Sequence, residues 1–121
     1  MKKLLFFLPL LLVACFDKDD GNYILKFNHE YLEVSAKSHN DTIFLFATQD
    51  WTGEATGEAN WVKITPTEGQ LQNMVPATFR IVFEVEENTD VAPRTLIFHV
   101  KDKGNNCYTN FQLTQKGVPV N

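Results

Sequence analysis

Cysteine is scarce in this sequence: Cys15 and Cys107 are the two in 121 residues. A scaffold stapled by several disulfides is therefore excluded. Positive charge is also short, with 11 Lys and Arg against 15 Asp and Glu and a formal net charge of −4. A nucleic-acid partner, whose phosphates demand a basic face, does not fit that balance. Nor does capture of anionic lipid by total charge. No apolar run reaches the about 20 residues that span a bilayer as a helix. Apolar residues at helical spacing are missing as well.

Catalytic groupings are equally absent. His29, His39 and His99 are scattered and lack the spacing of zinc ligands, so no metal and no cofactor are expected. No serine or cysteine sits in a recognisable nucleophile elbow. Glycoside hydrolysis needs two carboxyl groups about 5–9.5 Å apart across a cleft. Glu54 and Glu58 flank a loop, and Glu84 and Glu86 share one strand face, so neither pair implies such a cleft. No catalytic residue is assigned, and the chain is read as a non-enzyme.

What is present begins at the N-terminus. Lys2 and Lys3 precede an apolar run from Leu4 to Ala14, and Asp17, Asp19 and Asp20 follow it. A basic start and an eleven-residue apolar core suit an export signal. The run ends Leu12-Val13-Ala14-Cys15, which resembles a bacterial lipobox. A small Ala14 fits the peptidase pocket beside the scissile bond, and the Cys15 thiol accepts the lipid. Acylation of the freed amine then adds a second anchoring signal, which stable attachment requires. The expected organisation is a signal peptide over 1–14, a lipidated Cys15 with an acidic tether over 15–22, and one domain over 23–121. Loss of Lys2 and Lys3 leaves the mature chain near −6. A thioether at Cys15 would leave Cys107 without an intrachain partner, as a small buried hydrophobe. The acidic tether resembles tags that direct lipoproteins to the outer face of the outer membrane, so surface display is expected.

From Tyr23 onward the periodicity is two. Phe79, Ile81, Phe83 and Val85 alternate with Arg80, Val82, Glu84 and Glu86. Leu96, Phe98 and Val100 alternate with Ile97, His99 and Lys101, and Phe111 and Leu113 with Gln112 and Thr114. Tyr31–Val34 and Trp61–Ile64 read as further strands. Ile43-Phe44-Leu45-Phe46-Ala47 is apolar on both faces, which leaves its orientation open. Turn signals lie at His39-Asn40-Asp41, Gly53 to Asn60, Thr67-Glu68-Gly69, Glu87 to Asp90, and Asp102 to Asn106. Six or seven short strands at this spacing predict an all-β sandwich. Phe79, Phe83, Phe98 and Phe111 are its expected core, each contributing about 1.5–3 kcal/mol on burial.

Four segments in order resemble one family. Asn60-Trp61-Val62-Lys63-Ile64-Thr65-Pro66-Thr67-Glu68-Gly69 resembles the Ser-Trp-Leu-x-Val-x-Pro-x-x-Gly core of BACON domains. Trp51 stands where these domains carry an earlier tryptophan. Pro93-Arg94-Thr95-Leu96-Ile97-Phe98 resembles their arginine-led strand, and Leu113-Thr114-Gln115-Lys116-Gly117 their closing strand. The resemblance spans about Leu25 to Gly117. It departs in a longer stretch between Trp51 and Trp61, and in Lys37-Ser38-His39-Asn40 where a glycine-rich segment is usual. It implies an immunoglobulin-like sandwich of seven strands, found in surface lipoproteins and beside glycan-degrading enzymes. A carbohydrate-binding role and a passive spacer role are both attached to the family.

For sugar binding the expected place is the segment from Gln49 to Asn60. Trp51 would offer an apolar plane, with Asp50, Glu54 and Glu58 accepting hydroxyl hydrogen bonds. The competing reading packs Trp51 into the end of the sandwich. Tyr108 and Asn110 are weaker candidates. Asp41-Thr42-Ile43 matches a short O-glycosylation pattern of exported proteins, which makes Thr42 a modification candidate. The expected partners are the membrane through the lipid, glycans, and other surface lipoproteins, around a monomeric chain. The alternative is a structural spacer or interaction subunit with no glycan contact. An exposed Trp51 would favour the first reading, and a long bare edge strand with no aromatic platform the second.

Overall fold

The computed structural model describes residues 23–57 and 59–120. The proposed signal peptide, Cys15 and the tether lie outside these residues, as does Glu58. The described chain is all-β. Its strands are β1 (Leu25–Phe27), β2 (Tyr31–Val34), β3 (His39–Ala47), β4 (Trp51–Thr56), β5 (Val62–Thr65), β6 (Glu68–Gly69), β7 (Ala77–Val85), β8 (Arg94–Asp102) and β9 (Tyr108–Gln115). They form one sheet in the order β1-β3-β7-β5 and another in the order β2-β9-β8-β4-β6. All pairings are antiparallel except β2 with β9. The sandwich is as expected, with short β1 and β6 raising the number of strands above seven.

The alternation explains the layers. Ile81, Phe83, Leu96, Phe98, Val100, Phe111 and Leu113 are buried, with 0–1% of their surface exposed. Ile43, Leu45 and Ala47 settle the ambiguous segment by turning inward, while Phe44 and Phe46 face out. Four phenylalanines interlock between the sheets. Phe83 meets Phe98 edge-on at 5.8 Å between ring centroids and Phe111 at 5.2 Å, and Phe27 lies 5.8 Å from Phe111. Tilted and edge-to-face contacts of this kind add about 0.5–1.5 kcal/mol each to simple burial. Phe79 is only partly buried and packs at the rim.

Three expected turns carry strand residues, the shortest being Glu68 and Gly69, which form β6 by pairing with Thr52 and Trp51. His39, Asn40 and Asp41 begin β3, because their backbone pairs with Val85, Glu84 and Phe83 of β7. The stretch after Trp51, read as a loop for its Gly, Thr and Glu content, forms β4 by pairing residue for residue with β8. Non-local pairing overrides local turn propensity in each.

The segments that carried the family resemblance meet at one end of the fold. The Arg94 guanidinium stacks 4.6 Å from the Trp61 ring. Its Nε donates to Gln115 Oε1 at 2.8 Å, and one terminal nitrogen donates to the carbonyls of Glu86 and Glu87, each at 3.1 Å. Gln115, fully buried, donates from Nε2 to the carbonyls of Glu86 and Ala36. Beside it the buried Asn88 donates to the carbonyls of Ala92 and Lys116 and accepts from the Asp90 amide. These side chains satisfy loop carbonyls that no strand ladder reaches. The family signature is thus a structural clasp between the sheets.

Cys107 is buried, as expected, with its Sγ 3.7 Å from the Tyr23 carbonyl oxygen. It is not a lone thiol, however: it is held in a disulfide, which corrects that expectation. The other cysteine of the sequence, Cys15, lies outside the described residues. One sulfur cannot be both a lipid thioether and half of a disulfide, so an anchor at Cys15 and its pairing with Cys107 exclude one another.

Candidate functional site

The platform expected at Trp51 is not there. Trp51 is fully buried and meets Phe79 edge-on at 5.5 Å. The cause is strand parity. In β4, Trp51, Gly53 and Ala55 face the core, and Thr52, Glu54 and Thr56 face solvent. Trp51 and Glu54 stand three positions apart, an odd offset that puts them on opposite faces of the strand, so they cannot share a ligand on one sheet face. Asp50 is committed elsewhere: its Oδ1 accepts from the Leu71 amide at 2.8 Å and its carbonyl from the Lys103 amide at 2.9 Å. It ties three loops together and leaves the proposed sugar site. Thr42 is half-buried on β3, in register with Val82. The flanking β1 reaches only as far as Leu45, so Thr42 sits beside an uncovered strand edge.

Glu54 does reach a surface that could hold a ligand. The outer face of the five-stranded sheet sets it opposite His99, which in turn stands opposite Asn110. The next row places Thr52, Lys101 and Tyr108 side by side. Toward the other end a third row runs Tyr31, Gln112, Ile97 and Thr56. Tyr108 and Tyr31 are each about half exposed, and the Tyr108 ring lies 5.6 Å from the His99 ring, tilted by 41°. His99 Nδ1 and Asn110 Oδ1 share a hydrogen bond that holds the imidazole in place. A shallow cleft between β4 and β8, lined by Thr52, Glu54, His99 and Lys101, runs beside them. Gly53 forms its floor because the Phe98 ring occupies the space where a Cβ would stand.

This face combines a half-exposed phenol ring with an amide, a carboxylate, an imidazole and an ammonium in adjacent rows. A ring plane receives apolar C–H faces, and fixed polar groups orient hydroxyls around it. Sequence alternation marked Ile97, His99 and Lys101 as outward. Only the register of β8 against β4 and β9 brings Glu54 and Tyr108 to them.

A wider hollow of about 530 Å³ lies on the other sheet, where Asn40, Glu84 and Lys63 stand in one row. It carries no exposed Phe, Tyr or Trp plane. Glu84 faces outward from the central strand β7 and Glu86 follows just past its end, so the two succeed one another along the chain and do not face each other from separate strands. Among the described residues no group of His, Cys, Asp and Glu could hold a metal ion.

The comparisons agree with this architecture. The family model BACON, described as "Putative binding domain, N-terminal", matches residues 49–116. The chain belongs to the BACON family. The BACON match covers more than half of the chain and includes Trp51, the clasp residues Trp61, Arg94 and Gln115, and the outer face of β4, β8 and β9. No curated protein matches the chain. Among solved structures, a Bacteroides ovatus GH5 xyloglucanase in complex with a XXXG heptasaccharide is similar, with a TM-score of 0.65 and 20% identity. The match covers 81% of this chain but 20% of the enzyme, so this BACON domain spans about a fifth of that protein. A protein from Bacteroides thetaiotaomicron matches with a TM-score of 0.51 and 12% identity over 88% of this chain and 100% of its own. WR4, a C. elegans MSP family member, matches with a TM-score of 0.50 and 5% identity, over 79% of this chain and 99% of its own. At these identities the likeness is one of fold.

Proposed function

We propose that this chain is a non-catalytic, lipid-anchored module of the cell surface that contacts glycans through the outer face of its five-stranded sheet. The observation that carries the reading is the cluster of Tyr108, His99, Asn110, Glu54 and Lys101 on one solvent-facing surface. Tyr108 stacks against the C–H face of a pyranose. Asn110 and Glu54 bond its hydroxyls, and His99, already held by Asn110, stiffens the platform. Membership of a binding-type family supports the non-catalytic role. The likeness to part of a xyloglucanase supports a carbohydrate setting. The lipobox at Leu12–Cys15 supports the anchor, and Asp17, Asp19 and Asp20 support outward display.

A glycan array with the purified chain tests this, paired with Tyr108→Ala and Phe44→Ala. Tyr108→Ala should abolish binding with an unchanged thermal midpoint, and Phe44→Ala, on the opposite sheet, should leave binding intact. A wild-type chain silent across host and plant glycans makes the domain a spacer.

A further inference from the structure

The outer face of the five-stranded sheet carries a second aromatic ring besides that of Tyr108. Tyr31 on β2 and Tyr108 on β9 are 52% and 48% exposed. Tyr31 pairs with Gln112, which follows Tyr108 by four positions along β9. Alternate residues share one face of a strand, so Tyr108, Asn110 and Gln112 point the same way. Leu32 and Val34 pack against the core, which turns Tyr31 and Glu33 outward on that same side. Four residues of strand rise by roughly 13–14 Å, and a neighbouring strand lies about 4.8 Å to the side. The backbones that bear the two rings therefore stand roughly 14 Å apart, at the ends of a track along β9. Asn110 and Gln112 lie between them, with His99 and Ile97 of β8 alongside. Ile97 is 36% exposed and gives the middle of the track an apolar floor. Among the described residues, the strands of this face turn Glu33, Glu54 and Glu68 outward against Lys101.

We infer that the ligand of this face is a neutral, linear glycan of several sugars, laid along β9 with one sugar on Tyr108 and a later one on Tyr31. The inference rests on the glycan-binding part of the proposed function and names its ligand class. A single pyranose is too short to touch both rings. An extended chain engages both, and its second contact forms within a complex that already exists. That contact adds affinity without a second loss of translational freedom. The residues between the rings suit the middle of such a chain. The hydrogen bond to His99 takes the Asn110 oxygen, so Asn110 offers its NH2 group to a sugar oxygen. Gln112 supplies both a donor and an acceptor two residues further on. Ile97 meets the C–H faces that pass between the rings. The carboxylates outnumber the ammonium on this face, so a chain bearing uronate or sulfate groups meets like charge. Hydroxyls without charge meet no such opposition.

Calorimetric titration of the purified chain tests this. The probes are cello-, xylo-, manno- and malto-oligosaccharides from two to six sugars long, with polygalacturonate and heparin fragments as charged arms. In a series that binds, affinity should rise at least about tenfold from the disaccharide to the hexasaccharide. Tyr31→Ala should abolish that rise. Tyr31→Thr, which suits a strand but has no ring, should do the same. Tyr31→Phe, which keeps the ring, should retain the rise. A thermal midpoint within a few degrees of wild type shows that each variant is folded. Equal affinity at every length overturns the track and leaves the glycan site at Tyr108 standing. A rise that survives in the folded ring-free variants overturns it as well. Tight binding of polygalacturonate or heparin overturns the neutral ligand class. Silence toward every sugar removes the glycan reading and this inference together.

Discussion

Trp51 and Gly69 are partners across β4 and β6, and the indole lies directly over the glycine. A Cβ at Gly69 would overlap the Trp51 indole nitrogen and the Phe79 ring. The glycine is required by close approach, and the tryptophan fills the end of the sandwich as its largest fully buried side chain. Trp51→Ala should cost about 3–5 kcal/mol through lost burial and the cavity left behind. Gly69→Ala should cost about 1–3 kcal/mol by overpacking at the same place. Urea titration of both variants checks this. A Trp51→Ala loss under about 1 kcal/mol would mean that the indole is not in the core.

The clasp of Arg94 and Gln115 should behave as one unit. Arg94→Lys keeps the charge but loses the fork that reaches Gln115 and two carbonyls, together with much of the stacking on Trp61. Gln115→Leu leaves the Ala36 carbonyl without its side-chain donor in a buried setting. Each change should cost about 1–3 kcal/mol. The double variant should cost less than the two losses added, with a coupling on the order of 0.5–3 kcal/mol. Strict additivity would show that the two side chains act independently.

The legibility of the fold follows strand alternation. Phe83, Phe98 and Phe111 announce their burial because polar residues separate them from the next inward position. The alternation cannot say which strand lies beside which, and the binding face is made of neighbours across strands. Glu54, His99 and Asn110 are far apart in sequence and become a row only through the register of β4, β8 and β9. The platform reading of Trp51 fails, and the competing reading that packs it into the sandwich end holds, for a related reason. The residues that follow it have turn composition, which by itself carries no strand parity. Once β8 draws them into a strand, the odd separation of Trp51 and Glu54 sends the two to opposite faces. The motifs of the family resemblance were legible because each is local, yet Trp61, Arg94 and Gln115 serve the fold and leave the ligand face unmarked.

The fate of the two cysteines is the remaining test, because the chain has one sulfur to spare for either of two bonds. If Cys15 carries lipid, the wild-type protein isolated from membranes should take up acyl label. Cys15→Ala should leave a precursor of full size with no label, since the thiol that receives diacylglycerol is missing. Cys107→Ser should leave processing and labelling unchanged. It should lower the thermal midpoint, because it removes the disulfide that holds Cys107 and puts a hydroxyl at a site with 1% exposure. A wild-type chain with no acyl label and no reactive thiol until reductant is added would instead have its two sulfurs joined. The domain would then lose its membrane anchor, and the lipobox reading of Leu12–Cys15 would fall with it. Mature-sized, labelled product from Cys15→Ala would refute that reading by a separate route, since acylation would then occur at another residue.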